Sequence, residues 1–357
     1  MAENYRKSVF CEIQFLKECL SQINTNEYDN THSSKLRFWN SIENLLFCQN
    51  IKLFLDISDD EFNTEIKNIE KRKLKAARKG ENSQLDKFEE LLWRLNYEQL
   101  ESNIHLKCCG EKDSSKDFLD SIETNLNAFY LTCKDTDTCE DFSRRYGISI
   151  LTSKKMTVDW QQFEDTGCAI GKKERTNWGN IMQGKYNTCN ALILIDNYIL
   201  KDTDFLDENL REILQTLLPE TLANNTSFHL SIFTEDMKLK SADRFEKLNT
   251  MVKELRPNLS CEISLFKTKG FHDRTIITNN LYISCGAGFY LLKKGAPINM
   301  TVVNILNPYL TDTIHWAKKA YSNLVNAIKY IINNKNEYKS DSFPEFYLGA
   351  GINRLIE

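Results

Sequence analysis

The sequence predicts an α/β protein built as two domains, and three observations carry that expectation. Residues 127–152 read as a strand (AFYLT), an acidic turn, a helix (CEDFSRRY), a glycine stop and a second strand (ISIL). That is a βαβ step, which implies a parallel sheet. From residue 187 onward, apolar strands alternate with helices, and the run ALILIDNYIL is apolar enough to be a strand covered on both faces. Finally, FHDRTIIT and LYISCGAGF flank Asn279–Asn280 and read as two strands joined by a tight turn. The expected layout is an N-terminal helical and α/β domain over 1–152, a connector over 153–186, and a mixed β-sheet flanked by helices over 187–357. The 357 residues suit two domains at roughly 100–200 residues each.

Composition narrows the function classes. Charged residues make up 27% and hydrophobic residues 41%, with a net charge of −4, an ordinary globular balance. No overall basic excess advertises a nucleic-acid partner, so any such contact must be a local patch. The N-terminal MAENYRKSVF lacks the apolar core of a signal peptide. The most apolar run, residues 191–200, is short and carries Asp196, which suits a buried strand rather than a membrane span. Eleven cysteines in a chain read as unsecreted are expected to be reduced thiols. Richness in Asn, Lys and Ile suggests an AT-rich bacterial genome.

Taken in order, SVFCEIQF predicts a strand leading into the helix FLKECLSQI. Helical spacing of Leu36, Trp39, Ile42, Leu45 and Leu46 predicts a helix over 36–48. IKLFLD is a strand, and SDDEF opens a helix with Ser58 as N-cap and Glu61 three residues on, the capping-box pattern. Residues 65–79, EIKNIEKRKLKAARK, form a charged helical run that reads either as a solvated face or as a basic face touching a nucleic-acid backbone. Residues 85–95 continue as an amphipathic helix. The connector carries GKKERTNWGN, whose basic residues beside Trp178 read either as a grip on a strand of nucleic acid or as a linker with its tryptophan in the core.

Beyond residue 187, a helix is expected over 207–218 with Asp207 as N-cap and Pro219 as stop. Strand FHLSIFT, a helix over 243–255 and strand CEISLFKT follow. After the two strands around Asn279–Asn280 come strand MTVVNIL, a long amphipathic helix over 311–332 and a tail ending in FPEFYLGAGINRLI.

The chemistry concentrates in FHDRTIITNNLYISCGAGFY, residues 271–290. Side chains two apart on a strand share a face, so His272 and Arg274 should point the same way. Gly286 and Gly288 should arrive beside them on the next strand, where glycine lets backbone N–H groups approach an anion. The positions His272, Arg274, Asn279, Gly286 and Ala287 keep the spacing of the phospholipase D superfamily motif: His-x-Lys, four residues, Asp, six residues, Gly-Ser. Lysine, aspartate and serine are replaced by arginine, asparagine and alanine. HDR followed by a small-residue turn also resembles the phospholipase D-like C-terminal domains of MIT-domain proteins, which bind and do not cut. LILIDNY is similar to the superfamily's IxIxDPY strand and would set Asp196 on the side where His272 is expected. The resemblance spans roughly residues 187–330. It implies His272, Arg274 and Asn279 in the catalytic positions, with Arg274, Gly286 and Gly288 binding phosphate. A single motif implies a homodimer if the chain cuts at all.

The acidic turn after AFYLT is similar to the late part of PIN-like nuclease domains. That resemblance implies Asp135, Asp137 and Asp141 as ligands for Mg²⁺ or Mn²⁺, with Glu12 or Asp56 completing the set. The competing reading is that these acids cap a helix N-terminus. His105, Cys108, Cys109, Cys133 and Cys139 match no familiar zinc spacing and read as unliganded.

Together the resemblances imply a cytoplasmic, nucleic-acid-associated protein in a bacterial phage-defence or toxin setting. Its phospholipase D-like domain would recognise RNA or DNA phosphates, or a protein partner in a defence complex, with no membrane role. The alternative is a nuclease, cutting through the N-terminal acids with metal or through a dimerised His272 site.

Overall fold

The short apolar runs of the N-terminal half fold into strands β1 (Lys7–Cys11), β2 (Ile51–Leu55), β3 (His105–Cys108), β4 (Ala128–Thr132) and β5 (Ser149–Thr152), hydrogen-bonded in the order β3-β2-β1-β4-β5. β1 runs parallel to both β2 and β4, and β2 parallel to β3. Parallel neighbours need long crossovers, and helices supply them: α1 (Ile13–Ile23), α2 (His32–Leu46), α3 (Asp59–Arg78), α4 (Lys87–Leu100) and α5 (Thr136–Tyr146), with the short α6 (Met156–Asp159) after β5. Phe10 pairs in register with Phe54 and with Tyr130. Its ring stacks on theirs at 4.7 and 5.1 Å, a contact worth about 0.5–1.5 kcal/mol per pair beyond area burial.

This is a computed structural model. It describes residues 7–23, 32–48, 51–102, 104–110, 118–159, 166–170, 177–182, 189–200, 206–223, 225–235, 241–267, 274–293, 296–298, 301–306, 314–334 and 346–356. The chain divides into two units, one of Arg6–Asp141 with Ile150–Trp160, the other of Gln161–Glu357 with Phe142–Ser149. The α/β class expected from sequence is the class observed, with a parallel sheet in the first unit and a mixed sheet in the second. No helix among the described residues is long and apolar enough to cross a membrane.

Local signals in the first unit behave as their chemistry dictates. The Ser58 hydroxyl accepts from the Glu61 backbone N–H at 3.2 Å, and the Glu61 carboxylate accepts from the Ser58 N–H at 3.1 Å, closing the capping box that starts α3. A second box, Asp86 with Glu89, starts α4. Gly147, in the stretch that belongs to the second unit, ends α5 at φ +61°, the left-handed geometry a helix stop requires.

The second unit is organised around an eight-stranded sheet. Its members are β6 (Thr166–Ile170), β7 (Ala191–Ile195), β8 (Phe228–Thr234), β9 (Cys261–Lys267), β10 (Thr275–Thr278), β11 (Tyr282–Cys285), β14 (Thr301–Leu306) and β15 (Phe346–Gly349), in the order β15-β9-β8-β7-β10-β11-β14-β6. β12 (Leu292–Lys293) and β13 (Ala296–Pro297) form a separate small ladder. β7, β8 and β9 are parallel; every other pairing in the large sheet is antiparallel. Helices α7 (Trp178–Ile181), α8 (Arg211–Leu217), α9 (Ser241–Leu255) and α10 (Ile314–Asn334) belong to this unit. All five residues of β7 are buried, as its continuous apolar sequence demands. Alternate residues of the sheet, among them Leu194, Ile232, Leu265 and Ile276, share one core with Leu214 of α8 and Leu248 of α9.

Three features depart from the sequence reading. The connector 153–186 is not structureless: it contributes α6, the edge strand β6 and α7. β6 is only TGCAI, with Cys168 and Ile170 buried and Gly167 and Ala169 exposed, and a five-residue strand with one apolar face leaves little periodicity to detect. Trp178 is buried at 1% exposure, so it offers no ring for base stacking. The basic residues beside it in sequence, Lys172, Lys173 and Arg175, lie outside the described residues. The helix expected from Asp207 opens instead as a π-helical turn, Leu206–Leu210, ahead of α8.

The amino ends of β7 and β8 are closed by residues from the end of the chain. The Asn353 side-chain amide donates to Leu192 O (3.1 Å), His229 O (3.3 Å) and Ser231 Oγ (3.0 Å). Arg354 donates its backbone N–H to His229 Nδ1 (3.0 Å) and its guanidinium to Asn190 O (3.1 Å) and Ser227 O (2.6 Å). His229 must be neutral to accept that bond. Burial, with the Arg354 charge beside it, pushes the imidazole down to about 4. An unfolded histidine titrates near 6.5, so in the interval below that value the unfolded chain binds the extra proton and the folded one does not. Stability is therefore expected to be full above about pH 6.5 and to fall progressively towards pH 4, by up to about 3 kcal/mol from this group. Urea denaturation of wild type and His229→Gln across that range checks this: the variant should lose most of the slope.

Candidate functional site

The large sheet changes character between β7 and β10, where parallel pairing gives way to antiparallel. In open α/β sheets, ligands gather outside the carboxyl ends of strands where the winding changes direction. Asp196 sits there, directly after β7, and is 3% exposed. Its Oδ1 accepts the Tyr198 N–H at 2.8 Å and its Oδ2 accepts the Phe289 N–H at 2.8 Å, while its own N–H donates to Phe233 O at 3.0 Å. Burial pushes the Asp196 carboxyl up; the Phe289 and Tyr198 N–H groups and the Arg274 charge pull the other way.

Register brings the HDR segment to this edge. Thr275 pairs with Ile195 and with Ser284, so Arg274, just ahead of β10, lies beside Asp196 and the turn after β11. Arg274 is half-buried and donates Nη1 to Gly286 O at 3.1 Å. The turn itself is closed by the Gly288 N–H bonding Cys285 O at 3.0 Å. Gly288 has φ +84°, and a Cβ there would lie 2.9 Å from Asp196 Oδ2. Further on, the Asn209 carboxamide accepts the Leu291 and Leu292 N–H groups at 3.1 and 3.0 Å and donates to Leu292 O at 2.8 Å. Beneath the turn, Phe289 packs on Trp178 at 5.7 Å between ring centroids, and the Trp178 backbone N–H is held by Glu212 Oε2 at 2.8 Å. Tyr198 is 42% exposed at the same edge.

Arg274, Gly286 and Gly288 are thus brought together, and Asp196 joins them. His272 lies outside the described residues. Asn279 does not join them. It follows β10 at the opposite end, five residues and about 17 Å of extended chain from Arg274, and is 1% exposed. Its Oδ1 accepts the Asn190 N–H at 3.2 Å and its Nδ2 donates to Gly147 O at 2.8 Å. An aspartate could not make the second bond, because its carboxylate would face a carbonyl oxygen. Asparagine here is a structural requirement of the sheet's amino end rather than part of an Arg274-centred site. The glycines also act differently from the expected amide cradle: Gly288 spends its N–H inside the turn, and Gly286 presents its carbonyl to Arg274. The positive charge at this edge is that of Arg274.

In the first unit the strand order reverses between β1 and β4, and polar groups collect at those carboxyl ends. Glu12 is 9% exposed. Its Oε1 accepts Thr132 Oγ1 at 2.7 Å, and its Oε2 accepts the Cys133 N–H at 2.8 Å and the Cys133 thiol at 3.0 Å. Burial and that bond push the Cys133 thiol up to about 12, so it is protonated and a poor nucleophile. Asp56 Oδ1 accepts the Ile13 N–H. Asp135 caps α5: its Oδ1 accepts the Thr138 N–H at 2.9 Å and its Oδ2 the Thr138 hydroxyl at 2.7 Å. Asp137 and Asp141 lie on α5 itself. Among the described residues, no three His, Cys, Asp or Glu side chains are grouped to hold a metal ion. The Mg²⁺ or Mn²⁺ set of Asp135, Asp137 and Asp141 with Glu12 or Asp56 therefore does not fit: Glu12 and Asp135 have both carboxylate oxygens engaged by protein donors. His105, Cys108, Cys109, Cys133 and Cys139 form no such group either, and every cysteine is a free thiol.

Sequence reading named Asp196 but missed the residues that brace the turn with it. Asn209 sits mid-helix with no motif to mark it. Tyr198 is part of the LILIDNY match, and only its exposure singles it out. No protein-family model matches the chain, and no curated protein matches it.

The two glycines are expected to respond differently to alanine. Gly288→Ala should destabilise the protein by about 2–4 kcal/mol, through positive φ and the crowding of Asp196. Gly286→Ala meets open space and should stay within about 0.5 kcal/mol. Chemical denaturation of both variants provides the check. Removing Glu12 by Glu12→Ala should cost about 2–4 kcal/mol, since it leaves buried donors unsatisfied, and the same measurement reads it.

Proposed function

We propose that this chain is a nucleic-acid recognition protein whose second unit reads phosphate at the carboxyl edge of β7, with Arg274 as the anion contact. The observation that carries the reading is the placement of Arg274. An always-charged guanidinium is fixed by one bond to Gly286 O beside the buried Asp196, leaving further N–H donors at a half-exposed edge. The exposed Tyr198 ring at that edge supplies a face on which a base can stack. The spacing shared with phospholipase D-like domains, and with the non-cutting MIT-type variants in particular, points the same way. A phage-defence or toxin setting is the context proposed from that resemblance. Recognition without cleavage is favoured over hydrolysis because the N-terminal acids are engaged as caps and braces and Asn279 is turned to the opposite end of β10.

The test is binding of single- and double-stranded RNA and DNA by wild type, Arg274→Ala, Arg274→Lys and Tyr198→Ala, with Mn²⁺ and with EDTA. A charge-assisted hydrogen bond is worth about 1.5–3 kcal/mol, so Arg274→Ala should weaken binding about 10- to 100-fold, with Lys recovering part of it. Arg274→Ala binding as tightly as wild type would sink the reading. Cleavage that persists in EDTA and vanishes in His272→Ala would replace it with a phosphodiesterase, and cleavage that needs Mn²⁺ would return the activity to the N-terminal acids.

A further inference from the structure

Helix α3 runs well past the core that holds it. Its buried residues, Phe62, Ile66 and Ile69, all lie within its first eleven residues of twenty. From Lys67 onward the cations sort into two groups. Arg72 and Lys73 turn to α4: Arg72 pairs with Glu89, and the Lys73 ammonium lies 4.1 Å from the Trp93 ring centroid. Lys67, Lys71, Lys75 and Arg78 recur at intervals of four, four and three, which places them on one stripe of the helix. All four are exposed, and none makes a side-chain hydrogen bond or ion pair among the described residues. No acidic residue interrupts the stripe, whereas Glu65 and Glu70 fall to its sides. Leu74, in its middle, is 60% exposed.

This arrangement is unfavourable in isolation. Like charges three or four apart on a helix repel by about 0.2–0.5 kcal/mol per pair, and the stripe contains three such steps in succession. The helix dipole rewards cations only in the last turn, which covers Lys75 and Arg78 but not Lys67 or Lys71. A row of unpaired cations about 16 Å long, on a chain of net charge −4, is complementary to a linear polyanion. We propose that the Lys67–Lys71–Lys75–Arg78 stripe of α3 is a second, sequence-independent contact that grips the phosphate backbone of nucleic acid, separate from the Arg274 edge. A duplex is the better occupant than a single strand, since it presents one charge per roughly 1.7 Å of axis against 3.4 Å.

The experiment is a salt titration of full-chain binding to a mixed-sequence DNA duplex, an RNA duplex and the matching single strands, between about 50 and 200 mM salt. Wild type is compared with Lys67→Gln/Lys71→Gln/Lys75→Gln/Arg78→Gln and, separately, with Arg274→Ala. Each backbone cation contributes about 0.9 to the slope of log K against log salt on B-form DNA. The quadruple variant should therefore lose about 3–4 units of slope and bind at least about tenfold more weakly at low salt, with a melting temperature equal to or slightly above that of wild type, because all four side chains are exposed and their mutual repulsion is relieved. An unchanged slope and affinity in the quadruple variant would overturn the proposal. So would a stripe-dependent contact seen with phosphatidylserine vesicles and not with nucleic acid, which would make the surface a membrane contact. The two sites fail separately: loss in the quadruple variant with Arg274→Ala intact leaves α3 standing alone, and the reverse leaves only the Arg274 edge.

Discussion

One buried carboxylate joins the parallel and antiparallel halves of the large sheet. Asp196 takes an N–H from Tyr198 in its own strand's exit and another from Phe289 in the turn beyond β11, with the Arg274 charge beside it. Without it the buried Phe289 N–H would be unsatisfied, the part-buried Tyr198 N–H would lose its acceptor, and Arg274 would lose a neighbouring negative charge. The geometry of the edge follows from this group. The turn must pass within van der Waals reach of the carboxylate, so residue 288 has no room for a side chain. The polypeptide leaving the turn is then held by Asn209, and Phe289 drops into the core against Trp178.

The same turn explains why the sequence spacing and the chemistry part company. Spacing along FHDRTIIT and LYISCGAGF is a property of two paired strands and the loops at their ends, and it survives. What each polar residue does depends on which end of the strand it occupies. Arg274 and Asn279 belong to one eight-residue pattern, yet β10 carries them to opposite ends of the sheet, where one meets a carboxylate and the other meets a backbone carbonyl and a backbone N–H. A linear motif does not say which end a ligand uses.

Much of the architecture was legible because it rests on local chemistry. The unbroken apolar run of β7, the Ser58–Glu61 box and the strand–helix–glycine–strand step at 128–152 are each set by residues within a few positions of one another. The turn at Asn279–Asn280 is local too. The parts that were not legible depend on distant partners. β6 shows its single apolar face only once it has β14 to pair with. Asp135 was ambiguous between a metal ligand and a cap until Thr138 was seen to take both its oxygens. Asn209, Asn353 and Arg354 act through backbone groups some 80 to 160 residues away, and nothing in their own neighbourhoods announces it.

The lacing of β7 and β8 by Asn353 and Arg354 has a consequence in time. The bond from Asn353 to Leu192 spans 161 residues. At a synthesis rate of roughly 5–20 residues per second, the amino ends of the central strands wait some 8 to 30 s for the residues that cover them. During that wait Leu192 O and His229 Nδ1 lack the donors that Asn353 and Arg354 bring to them. The residues that cover this end of the sheet are thus made well after β7 and β8 themselves, and they lie at the end opposite Asp196.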